Sequence, residues 1–197
     1  MSERTSTESA FAPRETRDTR ERIQEIALEL FTEQGYEATS LREIAEALGV
    51  TKAALYYHFK TKEDIVAGMV VDRISSLDAI IMELRAHETV TPEMRREAIV
   101  HYAKGAYEGR AITRFMERNP TAMKHHPVIM QMREKVLELS GLLVSHDDTL
   151  TVRLKRGLAL FAIHAVGFML PGPEIDEDER YETSLKVALE LIEANEG

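Results

Sequence analysis

The sequence predicts an all-α protein, and three observations carry that prediction. Apolar residues recur at helical spacing along almost the whole 197-residue chain. Capping signatures open these stretches, while Gly and Pro close them. Nowhere do β-branched and aromatic residues alternate between turn signals, as a hairpin would require, and no repeat of roughly 20–50 residues is visible. The expected architecture is an N-terminal three-helix unit with a helix-turn-helix, followed by a larger helical domain.

Residues 1–13 lack periodicity and are expected to form a flexible arm. From Thr16 the pattern becomes helical: Ile23, Ile26, Ala27, Leu30 and Phe31 share one face, and Gly35 stands where a left-handed stop belongs. Ser40 with Glu43 forms a capping box for a short second helix, whose stripe is Leu41, Ile44, Ala45 and Leu48 and which Gly49 ends. Thr51 caps a third helix from Lys52 to about His58, and Thr61 with Asp64 opens a long fourth running toward His87. Thr91-Pro92 launches a fifth through about Glu117. Asn119-Pro120 and His126-Pro127 are breaks, after which residues 128–144, 149–170 and 177–194 give three more helices. The acidic run 174–179 reads as a solvated linker before the last of them.

Composition narrows the function. There are no cysteines, which removes disulfides, thiolate metal sites and cysteine nucleophiles and suits a reducing cytoplasm. The longest apolar run, residues 158–170, would make a helix of roughly 20 Å, short of a membrane core of about 30 Å. No membrane association is expected. A nucleophile elbow, a phosphate-binding Gly loop and paired carboxylates are all missing, so an enzyme is not expected, nor is a cofactor. His125 and His126 are adjacent and point to different sides, with no carboxylate to complete a metal site.

The net charge of −9 argues, taken alone, against nucleic acid. It is unevenly spread: 9 basic residues oppose 11 acidic ones through Lys62, against 16 and 23 afterwards. Between Thr51 and Lys62 there are three Lys and no acid. Local charge is what meets a phosphate, so a cationic patch on an acidic body suffices. On the third helix Lys52 and Tyr56 share a face with Ala53, while Leu55 points to the core. A cation, a methyl and a phenol on one outward face suit close approach to a major groove.

Phe31-Thr32-Glu33-Gln34-Gly35-Tyr36, Thr39-Ser40-Leu41-Arg42-Glu43-Ile44-Ala45 and residues 49–63, beginning Gly49-Val50-Thr51-Lys52-Ala53-Ala54-Leu55-Tyr56-Tyr57-His58-Phe59, resemble the TetR family of bacterial transcriptional regulators over about residues 17–77. The resemblance implies a homodimer on a palindromic double-stranded DNA operator, with repression relieved by a small molecule. It implies a DNA-binding domain at residues 14–62 and a ligand-binding and dimerisation domain at 63–197. By position, Arg42 can reach a base edge, Lys52 and Ala53 fall on the reading face, and Thr51, Tyr56, His58 and Lys62 meet phosphates. Tyr57 packs near the DNA backbone, and Ser40 offers its hydroxyl or helix N-terminus to a phosphate. Arg14, Arg17 and Arg20 could add contacts, or form a solvated face with Glu15, Asp18 and Glu21; Arg42 could equally pair with Glu46.

Beyond residue 62 the resemblance rests on size and helical content. The candidate pocket residues are His101, Tyr102, Phe115, Met116, Met130, Phe161, His164 and Phe168, for a largely apolar ligand. His101 and His164 could equally be core histidines, and the methionines core packing. The helix over 149–170 is apolar on two sides: Leu150, Leu154, Leu158, Phe161 and Ala165 form one stripe, Ala159, Ile163, Val166 and Leu170 another. Both must be covered. With Tyr181, Leu185, Leu189 and Ile192 of the last helix they are expected to build a four-helix dimer interface. A ligand-independent architectural DNA binder is the alternative; it would have no use for so large a second domain.

Overall fold

The computed structural model describes residues 12–119, 121–123, 126–170 and 175–193; of residues 12–18, 117 and 168 it describes the backbone alone. Nine α-helices are present among the described residues: α1 (Ala12–Glu33), α2 (Leu41–Leu48), α3 (Lys52–His58), α4 (Lys62–Arg85), α5 (Pro92–Glu108), α6 (Arg110–Arg118), α7 (Pro127–Leu142), α8 (Leu150–Met169) and α9 (Glu177–Ile192). None is long and apolar enough to cross a membrane. The chain divides into two compact units, one running to Met69 and taking in Phe115–Ala122, the other holding Val70–Arg114 and the chain from Met123. The division falls inside α4 rather than at its start, because the first turns of that helix carry the fully buried Ile65 and Val66.

In the first unit α1 buries Ile23, Ala27 and Phe31, the face expected from their spacing. Helix α1 begins at Ala12, so the last two residues of the expected arm are helical. Phe31 meets Tyr36 edge-on at 5.0 Å, and Phe115 of α6 completes the cluster at 5.6 Å from Phe31 and 5.3 Å from Tyr36. Phe115 therefore belongs to this unit and not to a pocket in the other. Thr39, nearly fully buried, donates its hydroxyl to the Gly35 carbonyl at 2.9 Å.

The second unit has a core of Leu77, Ile80, Ile81 and Leu84 from α4, Ile99 and Tyr102 from α5, Leu139 and Leu143, Ala159 and Leu160 from α8, and Ala188 and Ile192 from α9. The expected fifth helix is broken in two at Gly109, whose N–H bonds back to the carbonyls of Gly105 and Tyr107. A Cβ there would stand 2.6 Å from an Arg73 guanidinium nitrogen, so any larger residue would have to push that side chain aside. The acidic run is also more than a linker. Asp176 caps α9, Glu177 pairs with Arg114 at 2.9 Å, and Asp178 accepts a hydrogen bond from Tyr107. Acids in the first turn of α9 face the positive end of its dipole, which explains their gathering there.

Candidate nucleic-acid interface

Local sequence builds the α2–α3 pair. The Ser40 hydroxyl accepts from the Glu43 N–H at 3.3 Å, while the Glu43 carboxylate accepts from the Ser40 N–H at 2.7 Å. The Ser40 hydroxyl also donates to that carboxylate at 2.7 Å, and this bond, with the one from the Ser40 N–H, holds the Glu43 carboxyl below its usual range. Gly49 then takes φ 69°, a left-handed conformation open to glycine, and returns its N–H to the carbonyls of Ala45 and Glu46. Thr51 accepts from the Ala54 N–H at 3.2 Å and starts α3. Ile44, Ala45 and Leu55 are buried beneath the pair. The loop that follows is fixed by Asp64, which accepts from Thr61 N–H at 2.9 Å while its own N–H donates to the Thr61 hydroxyl at 3.0 Å.

On the opposite side of α3 the expected face is present. Thr51, Lys52, Ala53 and Tyr57 are exposed, Tyr56 and His58 half-buried. The Lys52 ammonium lies 5.4 Å from the Tyr56 ring centre, confirming that these two share a face, and the Tyr57 and His58 rings meet edge-on at 5.3 Å. No carboxylate interrupts this face. Arg42 is exposed on α2 and paired with Glu46 at 2.7 Å, the bland option the spacing allowed. Ser40 spends its hydroxyl within the capping box.

Lys62 stands differently. Its ammonium donates to the Tyr36 carbonyl at 2.5 Å and sits 4.5 Å over the Tyr36 ring, so it is engaged within the protein where phosphate contact was expected. Arg20 lies over the Phe59 ring at 4.4 Å, and the side chains of Arg14 and Arg17 fall outside the described residues.

Of the pocket candidates, the structure brings together His101, Tyr102 and His164. His101 and Tyr102 line a pocket of about 260 Å³, open mouth included, with Arg73, Ser76, Leu77, Ile80 and Gly105. The Tyr102 hydroxyl and His164 Nε2 are 2.9 Å apart. Burial, reinforced by the nearby Arg73 charge, pushes the His164 imidazole down to about 4, so it is neutral at pH 7. Met130 and Phe161 are instead exposed, Met116 lies in the first unit with Phe115, and the Phe168 side chain is outside the described residues. The sequence reading missed Arg73; the available signal was a lone cation among Val70, Val71 and Ile74. His126 caps α7 by accepting from the Val128 N–H at 3.2 Å, and His125 is not among the described residues.

The two-sided character of α8 is realised. Val152, Ala159 and Leu160 are buried, whereas Leu150, Leu154, Leu158 and Phe161 remain exposed. On α9 the expected interface stripe faces inward. Ile192 is buried, Leu185 and Leu189 pack against the core, and the Tyr181 ring lies 4.8 Å from that of Tyr107. The reason is geometric: that stripe is the face with which α9 covers its own chain. Val187, 43% exposed, is the apolar residue that α9 leaves outward.

Residues 23–69 match the family model described as bacterial regulatory proteins, tetR family. The HTH-type transcriptional regulator AcrR of Shigella flexneri is 39% identical over 88 residues, which is 44% of this chain and 41% of that protein. IcaR of Staphylococcus aureus strain Newman, a negative transcriptional regulator of the biofilm operon icaADBC, is 40% identical over 63 residues, 32% of this chain and 34% of that one. The matched stretch thus spans less than half the length of either relative. Among solved structures, the TetR family transcriptional regulator PfmR from Thermus thermophilus has a TM-score of 0.60 at 27% identity, covering 86% of this chain and 97% of that one. Mycobacterium smegmatis AmtR has a TM-score of 0.65 over 99% of this chain and 92% of that one, at 18% identity, a likeness of fold alone. Capped helix pair, left-handed turn and cationic face define a helix-turn-helix module heading an all-helical chain. Over residues 23–69 the chain is similar to the tetR family of bacterial regulatory proteins, and its fold is similar to that of a solved family member over most of its length.

Proposed function

We propose that this protein is a dimeric transcriptional repressor that reads a palindromic operator with α3 and releases it when a small molecule binds the second unit. One observation carries the reading: an acid-free face of Lys52, Ala53 and Tyr56 on a helix capped at the turn by Gly49 and Thr51, within the stretch that matches the family model. Most of the chain's acidic excess lies after Lys62, which favours this face as the one that meets the operator. IcaR is by its description a negative regulator, which favours repression. The exposed stripe Leu150, Leu154, Leu158 and Phe161 supports a second copy as the partner, since a two-fold axis along α8 would cover it. Nothing in this arrangement performs catalysis, and a regulator in contact with DNA works in the cytoplasm. Selection from a randomised duplex library tests the proposal. Enrichment of one inverted repeat is expected; enrichment of no sequence would point to the architectural alternative.

A further inference from the structure

The side chains able to read base edges are unevenly supplied around the α2–α3 pair. Residues 35–62 contain no Asn and no Gln, the two that pair bidentately with adenine. Glutamate can accept from cytosine, but Glu43 is spent in the capping box, Glu46 holds Arg42, and Glu37 precedes α2. The Lys and Arg of this stretch are Arg42, Lys52, Lys60 and Lys62. Lys62 is engaged with the carbonyl and ring of Tyr36. Lys60 follows the end of α3 and donates back to the Tyr56 carbonyl at 2.6 Å.

Lys52 is placed otherwise. It is the first residue of α3, and the N-terminal residues of a recognition helix are those that meet base edges. Its side chain is exposed, and the Tyr56 ring 5.4 Å from the ammonium keeps it along the acid-free face. Ala53 beside it is exposed and small, so nothing there holds the helix away from the groove floor. An ammonium has three donors and no acceptor. In the major groove guanine alone offers two neighbouring acceptors, O6 and N7. Adenine sets a donor beside its N7, cytosine presents a donor, and thymine has one acceptor beside a methyl. A donor-only side chain in that position therefore selects guanine, while the Ala53 methyl suits the apolar edge of thymine.

We propose that Lys52 reads a guanine in each operator half-site through O6 and N7, with the C5-methyl of a neighbouring thymine against Ala53. The proposal rests on the reading of α3 as the recognition helix and names the base chemistry that this helix selects. The Lys52 charge also displaces counterions in the groove, so one side chain serves both salt dependence and base preference.

Selection from a randomised duplex library, run on the full-length protein and on Lys52→Gln, tests it. The unaltered protein is expected to enrich an inverted repeat with guanine at one position that Lys52→Gln changes to adenine. A carboxamide donates and accepts as the adenine edge requires. Lys and Gln have similar helix propensities, so the exchange at an exposed site leaves α3 intact. Lys52→Ala should accept any base at that position and keep the rest of the repeat. On the unaltered protein, 7-deazaguanine placed at each guanine in turn should weaken binding about tenfold at that position. Uracil in place of the neighbouring thymine should weaken it about fourfold. A half-site without guanine, tolerance of 7-deazaguanine at every position, or the same preferred sequence for Lys52→Gln would each overturn the guanine contact. Tolerance of uracil at every thymine would overturn the Ala53 contact. Any of these results on an enriched inverted repeat leaves the repressor reading intact, whereas enrichment of no sequence overturns that reading and the proposal with it.

Discussion

Arg42 and Glu46 hold each other at 2.7 Å with side chains 76% and 61% exposed. An exposed pair of this kind contributes only about 0–1 kcal/mol, so a guanine edge can displace Glu46 at little cost. Arg42→Ala is expected to weaken operator binding by about 1–3 kcal/mol and to relax preference at one base pair per half-site, read by titration of single-base variants. Lys62 is bound to the Tyr36 carbonyl, so its role is internal. Lys62→Met is expected to lower stability by about 1–3 kcal/mol and leave the salt dependence of DNA binding unchanged. Lys52→Ala, on the open face, reduces that slope by about one unit. His164 adds a pH effect. Its folded pKa of about 4 lies below the ordinary 6.5, held there by burial and by Arg73. The unfolded chain therefore takes up a proton that the fold refuses between those values. Stability is complete above about pH 7 and falls as pH drops toward 4, by about 3 kcal/mol at most. Urea denaturation across that window should show a shallower loss for His164→Asn.

Helix boundaries set by local chemistry were legible in advance. The Ser40–Glu43 box, Gly49, Thr51, Thr61–Asp64 and Thr91-Pro92 each act within four residues, and each starts or stops a helix where expected. The break between α5 and α6 was not legible, because Gly109 looks like any interior glycine until Arg73 packs on it. Phe115 was misplaced for the same reason: Phe31 and Tyr36, its partners, lie far away in sequence. The α8 stripe was legible as a face needing cover, whereas the inward turn of α9 depended on packing with α5 and α8. Substituting Leu154 and Leu158 by Glu is expected to yield folded monomers in sedimentation, since both side chains are already exposed, 61% and 41%. At the start of α8, nearly buried Arg156 pairs with Asp148 of the preceding turn. Asp148→Ala strands that guanidinium and should cost about 3–5 kcal/mol in denaturant unfolding.

Helix α4 begins in the unit that carries α2 and α3 and ends in the unit proposed to bind the ligand. Regulation then needs only a preference of the ligand for one separation of the paired recognition helices over another, and linkage converts that preference into lost operator affinity. That logic requires two copies of α3 in successive major grooves, about 34 Å apart. The most direct test is to titrate the protein on its selected inverted repeat and on the same repeat with about five base pairs inserted at its centre, half a helical turn. The insertion rotates one half-site to the far side of the duplex. A dimer that reads both grooves at once should fall to the affinity of a single half-site, whereas equal affinity for the two duplexes would contradict the paired reading.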